Sequence, residues 1–461
     1  MYRNKILLGV VSALLLLSCG QEAMKNTENL TSNSDSKVRI MALDPGHFHA
    51  GLIHKSMYQI VDSTIYVFAP EGPELKDYLS RIEGYNTREE SPTAWSLEVF
   101  VGDDYLQKML SDKPGNVMVV AGKNDLKIDY ILSAIQNGLN VYADKPLVIN
   151  SDGFQKLVKA FKLAEDQNLL LYDIMTERFE ITTLLQRELS MIPEVFGQLE
   201  VGTPENPAIT KESVHYFFKY VSGKPLVRPD WFFDVEKEGD GIVDVTTHLV
   251  DLIQWEAFPN QVLDTADVQM LSARRWATPM TLEEFEKVTG KAEFPDFLQK
   301  DIDDDEVLQV YSNGEMNYTL QGKHAKVSVI WGFQAPEGTG DTHFSMMRGS
   351  KANLIIRQGK EENYRPVLYV KLIESSEDEL SKAVRETLQG KYPGIDLEKL
   401  SSGEYRINVP EKYHNGHEAH FGQVTERYLE FFQEGKMPEW EVPNMITKYY
   451  TTTQARAFAM K

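Results

Sequence analysis

The chain reads as an α/β protein: an N-terminal parallel sheet with interleaved helices, then a C-terminal α/β domain around a large open, mostly antiparallel sheet. Three observations predict this. From Val38 to Tyr172, apolar strand-like runs alternate with helix-period segments, the pattern of a parallel sheet built from right-handed crossovers. After Asp173 the texture changes to short segments rich in β-branched and aromatic residues, several alternating in polarity, as half-buried antiparallel strands do. Finally, a chain of 461 residues with a single Cys can form no internal disulfide, so its fold must rest on apolar cores, and it is long enough for two or three.

The elements follow in order. Arg3 and Lys5 precede an apolar run, Ile6 to Leu17, too short and wrongly flanked for a membrane span but suited to a secretory signal. Leu16-Leu17-Ser18-Cys19 resembles a bacterial lipobox, which makes Cys19 the expected lipidation site and 1–18 the signal peptide. Residues 19–36 are polar and form a flexible tether. Strands are expected at Val38–Leu43, Thr64–Phe68, Val117–Ala121, Val141–Ala143 and Leu169–Tyr172. Helices are expected from Ala50 to Ile60, Ile128 to Asn137 (closed by Gly138) and 151–166. The second sheet takes segments near 266–274, 306–312, 315–321, 324–333, 342–348, 352–358 and 367–374, with a helix from Glu418 to Gln433 and another at the end. The domains are thus 37–173 and 174–461.

The formal charge of −21 argues against a nucleic-acid partner, which needs a basic footprint. It argues equally against a broad electrostatic grip on anionic lipid, leaving the acyl chain on Cys19 as the one membrane attachment. The mature chain is then an exported lipoprotein, on the periplasmic side or at the outer membrane.

The chemistry gathers at a few loops. The first strand–turn–helix, where a dinucleotide-binding protein places its phosphate loop, reads Asp44-Pro45-Gly46-His47-Phe48-His49-Ala50-Gly51. It keeps Gly46 and Gly51 of the usual glycine pattern and adds His47 and His49. Glu71, after the second strand, is the candidate for an adenosine ribose. Lys145 lies at the C-terminal end of its strand, where open α/β sheets bind ligands. Asp244 and His248 are four apart, so on a helix they share a face. A Lys holding a hydroxyl and a His taking its proton suit alcohol oxidation. Tyr216 and Trp231 could offer aromatic faces to a sugar. His414, His417 and His420 are spaced unlike a standard zinc set, and no metal is expected.

Ala143-Asp144-Lys145-Pro146 resembles the E-K-P motif of the Gfo/Idh/MocA oxidoreductases, with Asp for Glu. Trp231, the Gly239/Gly241 loop and Asp244-x-x-x-His248 resemble the family's W…G-G-G…D-x-x-x-H segment, and Met175–Phe179, with Arg178, resembles its crossing between domains. The resemblance runs from Val38 to Leu252, with a looser C-terminal continuation. It implies a Rossmann-like NAD(P)-binding domain, a substrate and oligomerisation domain, NAD or NADP (NAD, tightly bound, is expected in an exported protein) and a carbohydrate, polyol or glycoside substrate. It places Lys145, Asp244 and His248 at the catalytic positions and Asn124 near the nicotinamide, and it leaves a homo-oligomer open. Lys127 stands where the family often has His, and Asp240 interrupts the glycine triplet. Two other readings stay open: an NAD-dependent glycosidase acting by transient oxidation and elimination, and a cofactor-free carbohydrate-binding lipoprotein.

Overall fold

A computed structural model describes residues 37–221 and 224–461; the signal 1–18, the tether 19–36 and Cys19 lie outside the described residues. Six strands form the first sheet: β1 (Val38–Leu43), β2 (Val61–Ala69), β3 (Ser96–Val101), β4 (Val117–Val120), β5 (Asn140–Asp144) and β6 (Leu171–Ile174). Their spatial order is β3-β2-β1-β4-β5-β6, all parallel. β4 and β6 are buried at every residue, as strands covered on both faces are, and β4 accordingly reads as an unbroken apolar run. The chain reverses direction across the sheet between β1 and β4, so the loops after those strands diverge and leave a crevice at their C-terminal ends.

Helices α1 (His49–Leu52), α2 (Pro73–Thr87), α3 (Tyr105–Asp112), α4 (Asn124–Gln136) and α5 (Ser151–Asp166) fill the crossovers. α5 has the expected bounds, with the Asn150 side chain accepting from Gly153 N–H as its cap. α1 departs from expectation and stops after four residues. The carbonyl of His54 accepts from the Trp95 indole (2.7 Å) and that of Lys55 from the Arg88 guanidinium (2.7 Å), which draws both away from a continuing helix. Sequence reading also passed over α2, β3 and α3; β3 is an edge strand with no fully buried residue.

The second sheet has nine strands, in spatial order Val268–Met280, Leu308–Leu320, Lys323–Gln334, Ile209–Phe218 (β7), Thr342–Arg348, Ala352–Arg357, Val367–Leu372, Glu404–Asn408 and Asp396–Ser401. The pairing of Lys323–Gln334 with β7 is parallel and the rest are antiparallel. Expected segments 306–312 and 315–321 are one strand that runs through Gly314. Helices α6 (Ile181–Ser190) and α7 (Thr246–Ala257) cover one face.

The end of the chain returns to the first sheet. Phe421, Val424, Tyr428 and Tyr449 belong to its core, and Tyr428 stacks on Tyr142 at 4.6 Å. Buried charges fasten this return. Arg178 forks onto Asp251 (2.6 and 2.8 Å) and onto Glu441 (2.9 Å), while Lys448 bridges Asp173 (2.7 Å) and Asp251 (2.8 Å). Such a network contributes mainly by register, since removing one member strands the others in low dielectric.

Candidate active site

One cavity of 1590 Å³ opens where the C-terminal ends of β1, β4 and β5 face β7 and the helix His417–Glu434. Its floor is set by a buried cation. Lys127 on α4 is fully buried, and its ammonium donates to Asn124 Oδ1 (2.5 Å) and to the carbonyls of Asp144 (2.8 Å) and Pro146 (3.1 Å). It thereby holds the turn that presents Lys145. Burial lowers the Lys127 pKa to about 8. Asn124 is spent on this scaffold as well: its Nδ2 donates to Glu238 O at 2.7 Å.

Lys145 Nζ donates to Asp244 Oδ1 at 2.5 Å. Burial opposes the lysine charge, but Asp244 and Asp144 outweigh it and raise its pKa, so Lys145 is a fixed cation and not a base. Asp244 sits in the turn before α7, reached through Gly241. A Cβ at Gly241 would fall 2.0 Å from Ser312 O, so only glycine allows this approach. Asp240, the departure from the glycine triplet, is fully buried and anchored by Arg456 (3.0 Å) and Arg275 (3.2 Å). His248, one turn beyond Asp244, also lines the cavity, and its Nδ1 has no hydrogen-bond partner. Burial, then Lys145 and His417, hold its pKa well below the ordinary imidazole value. At neutral pH it is a neutral ring able to take a proton.

His47 and His49 also face the cavity. His49 Nδ1 lies 2.9 Å and His47 Nδ1 3.7 Å from Asp144 Oδ2. Further residues complete the walls, His215 and Phe232 among those the sequence offers as aromatic lining and Glu238, Glu177, Ser213, Asp341 and Arg228 beyond them. Glu238 is buried beside Asp244, and burial drives its carboxyl well above the carboxylate range. Glu177, in the Met175–Phe179 crossing, is raised to about 7 by burial and by Glu180. On β7, Ser213 Oγ meets His215 Nε2 at 3.0 Å, and His215 Nδ1 meets Asp341 Oδ2 at 3.2 Å. The alternation of Ser213 and His215 was readable as one strand face, but Asp341 lies 126 residues away. Arg228 stacks on Phe232 (4.3 Å) and Trp331 (5.4 Å), and Tyr216 lines the same wall as expected.

Three expected positions fall elsewhere. Trp231 does not line this cavity: its indole N–H donates to Glu74 Oε1 (3.1 Å) across a slot of 20 Å³ beside Gly46, Asp44 and Lys123. Glu71 is exposed, because α2 turns Glu74 rather than Glu71 into that slot. Gly51 packs α1 against Arg81, where a Cβ would meet the side chain at 3.0 Å, and does not face a ligand. His417 lies 5.7 Å (ring centroids) from His49, and His414 and His420 also border the cavity.

A parallel sheet with this strand order, joined to a large antiparallel sheet and carrying a Lys–Asp–His cluster at the junction, is the fold and site of an oxidoreductase. Residues 185–460, more than half of the chain, match the family described as "Putative oxidoreductase C terminal domain". The chain belongs to this oxidoreductase family. It is 53% identical to a Parabacteroides merdae protein of known structure described as "a putative oxidoreductase", over 92% of this chain and 98% of that one, with a TM-score of 0.89. The fold is shared with a 3-ketoreductase from Actinomadura kijaniata in complex with NADP and TDP-benzene (11% identity, 92% and 98% covered, TM-score 0.56). It is shared too with levoglucosan dehydrogenase in complex with NADH and levoglucosan (12%, 92% and 97%, TM-score 0.58). No curated protein matches the chain.

Proposed function

We propose that the chain oxidises or reduces a ring CH–OH group of a carbohydrate or glycoside with a nicotinamide dinucleotide. The observation that carries this reading is the convergence of a charged Lys145, its partner Asp244 and a neutral His248 on one cavity at the C-terminal end of β5. The Lys145 cavity has room for a nicotinamide and a sugar together. The slot beside Gly46 continues toward β2, with Lys123 as its cation. The loop amides do not form the usual cradle, since Gly46 N–H donates to Asp44 O (2.7 Å) and His47 N–H to Ala121 O (3.0 Å). The residues therefore fit the group with a changed grip. Lys123 and His47 would hold the pyrophosphate side, and Trp231, 3.4 Å from a Cβ at Gly46, would yield the slot.

When bound, the nicotinamide supplies the two-electron acceptor or donor. The chain's residues do the rest. Lys145 holds the reacting oxygen and favours its alkoxide character. Asp244 keeps Lys145 charged and fixed. His248 takes the hydroxyl proton or returns it in reduction. Arg228, His215 and Trp331 face the sugar from the opposite wall. Glu177 favours a second reading, the glycosidase that eliminates an aglycone after oxidation, because a carboxyl titrating near 7 could protonate a leaving group. Export and lipidation at Cys19 belong to the same proposal, with the dinucleotide held tightly because free cofactor is scarce outside the cytoplasm. Incubating the protein with sugars and glycosides deuterated at single ring carbons tests the reading. Label should appear on the nicotinamide ring, and its absence with every substrate and either dinucleotide would refute it.

A further inference from the structure

The β1–α1 loop carries two imidazoles where a phosphate cradle would stand, and both turn toward one carboxylate. Asp144 comes from the end of β5, 95 residues further along the chain. One donor atom from each of His47, His49 and Asp144 lies within 4.8 Å of the others. The two contacts onto Asp144 Oδ2, 2.9 and 3.7 Å, bracket the spacing of about 3.3 Å that donors adopt around a tetrahedral zinc with bonds near 2.0–2.1 Å. The longer one is the telling one. His47 Nδ1 accepts from His49 N–H at 3.4 Å, so it carries no proton toward the Asp144 oxygen 3.7 Å away. Two acceptors converging in a largely buried place are stabilised by a cation between them.

We propose that His47, His49 and Asp144 form a binding site for a divalent first-row transition metal, of the zinc class, with its open positions facing the cavity beside Lys145. Two histidines and one carboxylate with free positions form a ligand set for such ions. The nearby Lys145 does not compete for Asp144, because its ammonium is paired with Asp244. The ion would act as a Lewis acid on a substrate oxygen, sharing with Lys145 the work of acidifying a ring hydroxyl. The ligands are not the His414–His417–His420 run but come from the loop after β1 and the end of β5, which only the fold brings together. His47 is shared with the pyrophosphate side of the nicotinamide reading, but metal binding is tested without any dinucleotide.

The test uses untagged protein stripped with chelator, then titrated with Co²⁺ in the absence of any dinucleotide and read by visible ligand-field absorption and by metal analysis. One cobalt per chain is expected, displaced by Zn²⁺. His49→Ala and Asp144→Asn should each weaken binding by more than about 100-fold, while His414→Ala should bind as wild type does. Circular dichroism checks that each variant is folded. His47→Gln, on the less buried ring, supplies a further variant expected to fold. No cobalt binding by folded wild type, or equal binding by the His47→Gln/Asp144→Asn variant, would overturn the proposal. Absence of label transfer to a nicotinamide would leave it standing.

Discussion

Replacing Lys145 by Met separates what this residue does for stability from what it does for chemistry. Lys145 and Asp244 have side chains only 10% and 9% exposed. Removing one member of a buried ion pair costs about 3–5 kcal/mol, because the remaining charge is left uncompensated. The cavity admits water to Asp244, so the lower end, about 3 kcal/mol, is expected. Adding Asp244→Asn removes the stranded charge, and the Lys145→Met/Asp244→Asn variant should regain most of that loss. Turnover behaves differently: both variants should lose more than about 100-fold, the scale of a removed electrostatic contact to a developing oxyanion. Urea unfolding followed by circular dichroism gives the first quantity, and initial rates on a substrate of the wild type give the second. A double variant with near wild-type turnover would refute the assignment of Lys145. Stability that fails to recover would refute the ion-pair accounting.

Other consequences follow from the buried groups. His54 has both ring nitrogens unpartnered, and burial lowers its pKa to about 3. The unfolded chain therefore takes up a proton below about 6.5 that the folded chain refuses, so stability is full above that pH and falls as pH drops. From pH 6.5 to 5 this one residue should account for about 2 kcal/mol; His54→Phe should show a urea midpoint that falls correspondingly less, and parallel losses would contradict the reading. Asp251→Asn should destabilise by about 3 kcal/mol, since Arg178 and Lys448 each lose one of their two buried carboxylate partners, as thermal or urea unfolding would show. If Glu177 works as a proton donor, the pH–rate profile should carry a limb near 7 that Glu177→Gln abolishes; an unchanged profile removes it from the chemistry.

The sequence carried the first sheet well where burial is complete. β1, β4 and β5 read as apolar runs because both faces are covered, and Lys145, Asp244 and His248 could be placed together because their motifs lie at element ends. It carried β3 poorly, since an exposed edge strand lacks that signal. The helix expected after β1 was cut short by side chains distant in sequence, Trp95 and Arg88, capturing its carbonyls. The same limit governs the site. Glu74, in the first turn of α2, occupies the slot expected for Glu71, which lies before the helix, and Trp231 leaves the substrate cavity through its bond to that Glu74. The Ser213–His215–Asp341 chain and the His47–His49–Asp144 cluster depend on strand register and crossover placement, which residue spacing does not encode.

The most direct test of the central claim is to purify the mature protein, denature it, and identify any released dinucleotide by mass spectrometry, with titration of the protein that comes out empty. The account predicts a nicotinamide dinucleotide bound at one per chain, with affinity lost in Lys123→Glu and reduced in His47→Gln. A folded protein that releases none and binds neither NAD nor NADP would contradict it.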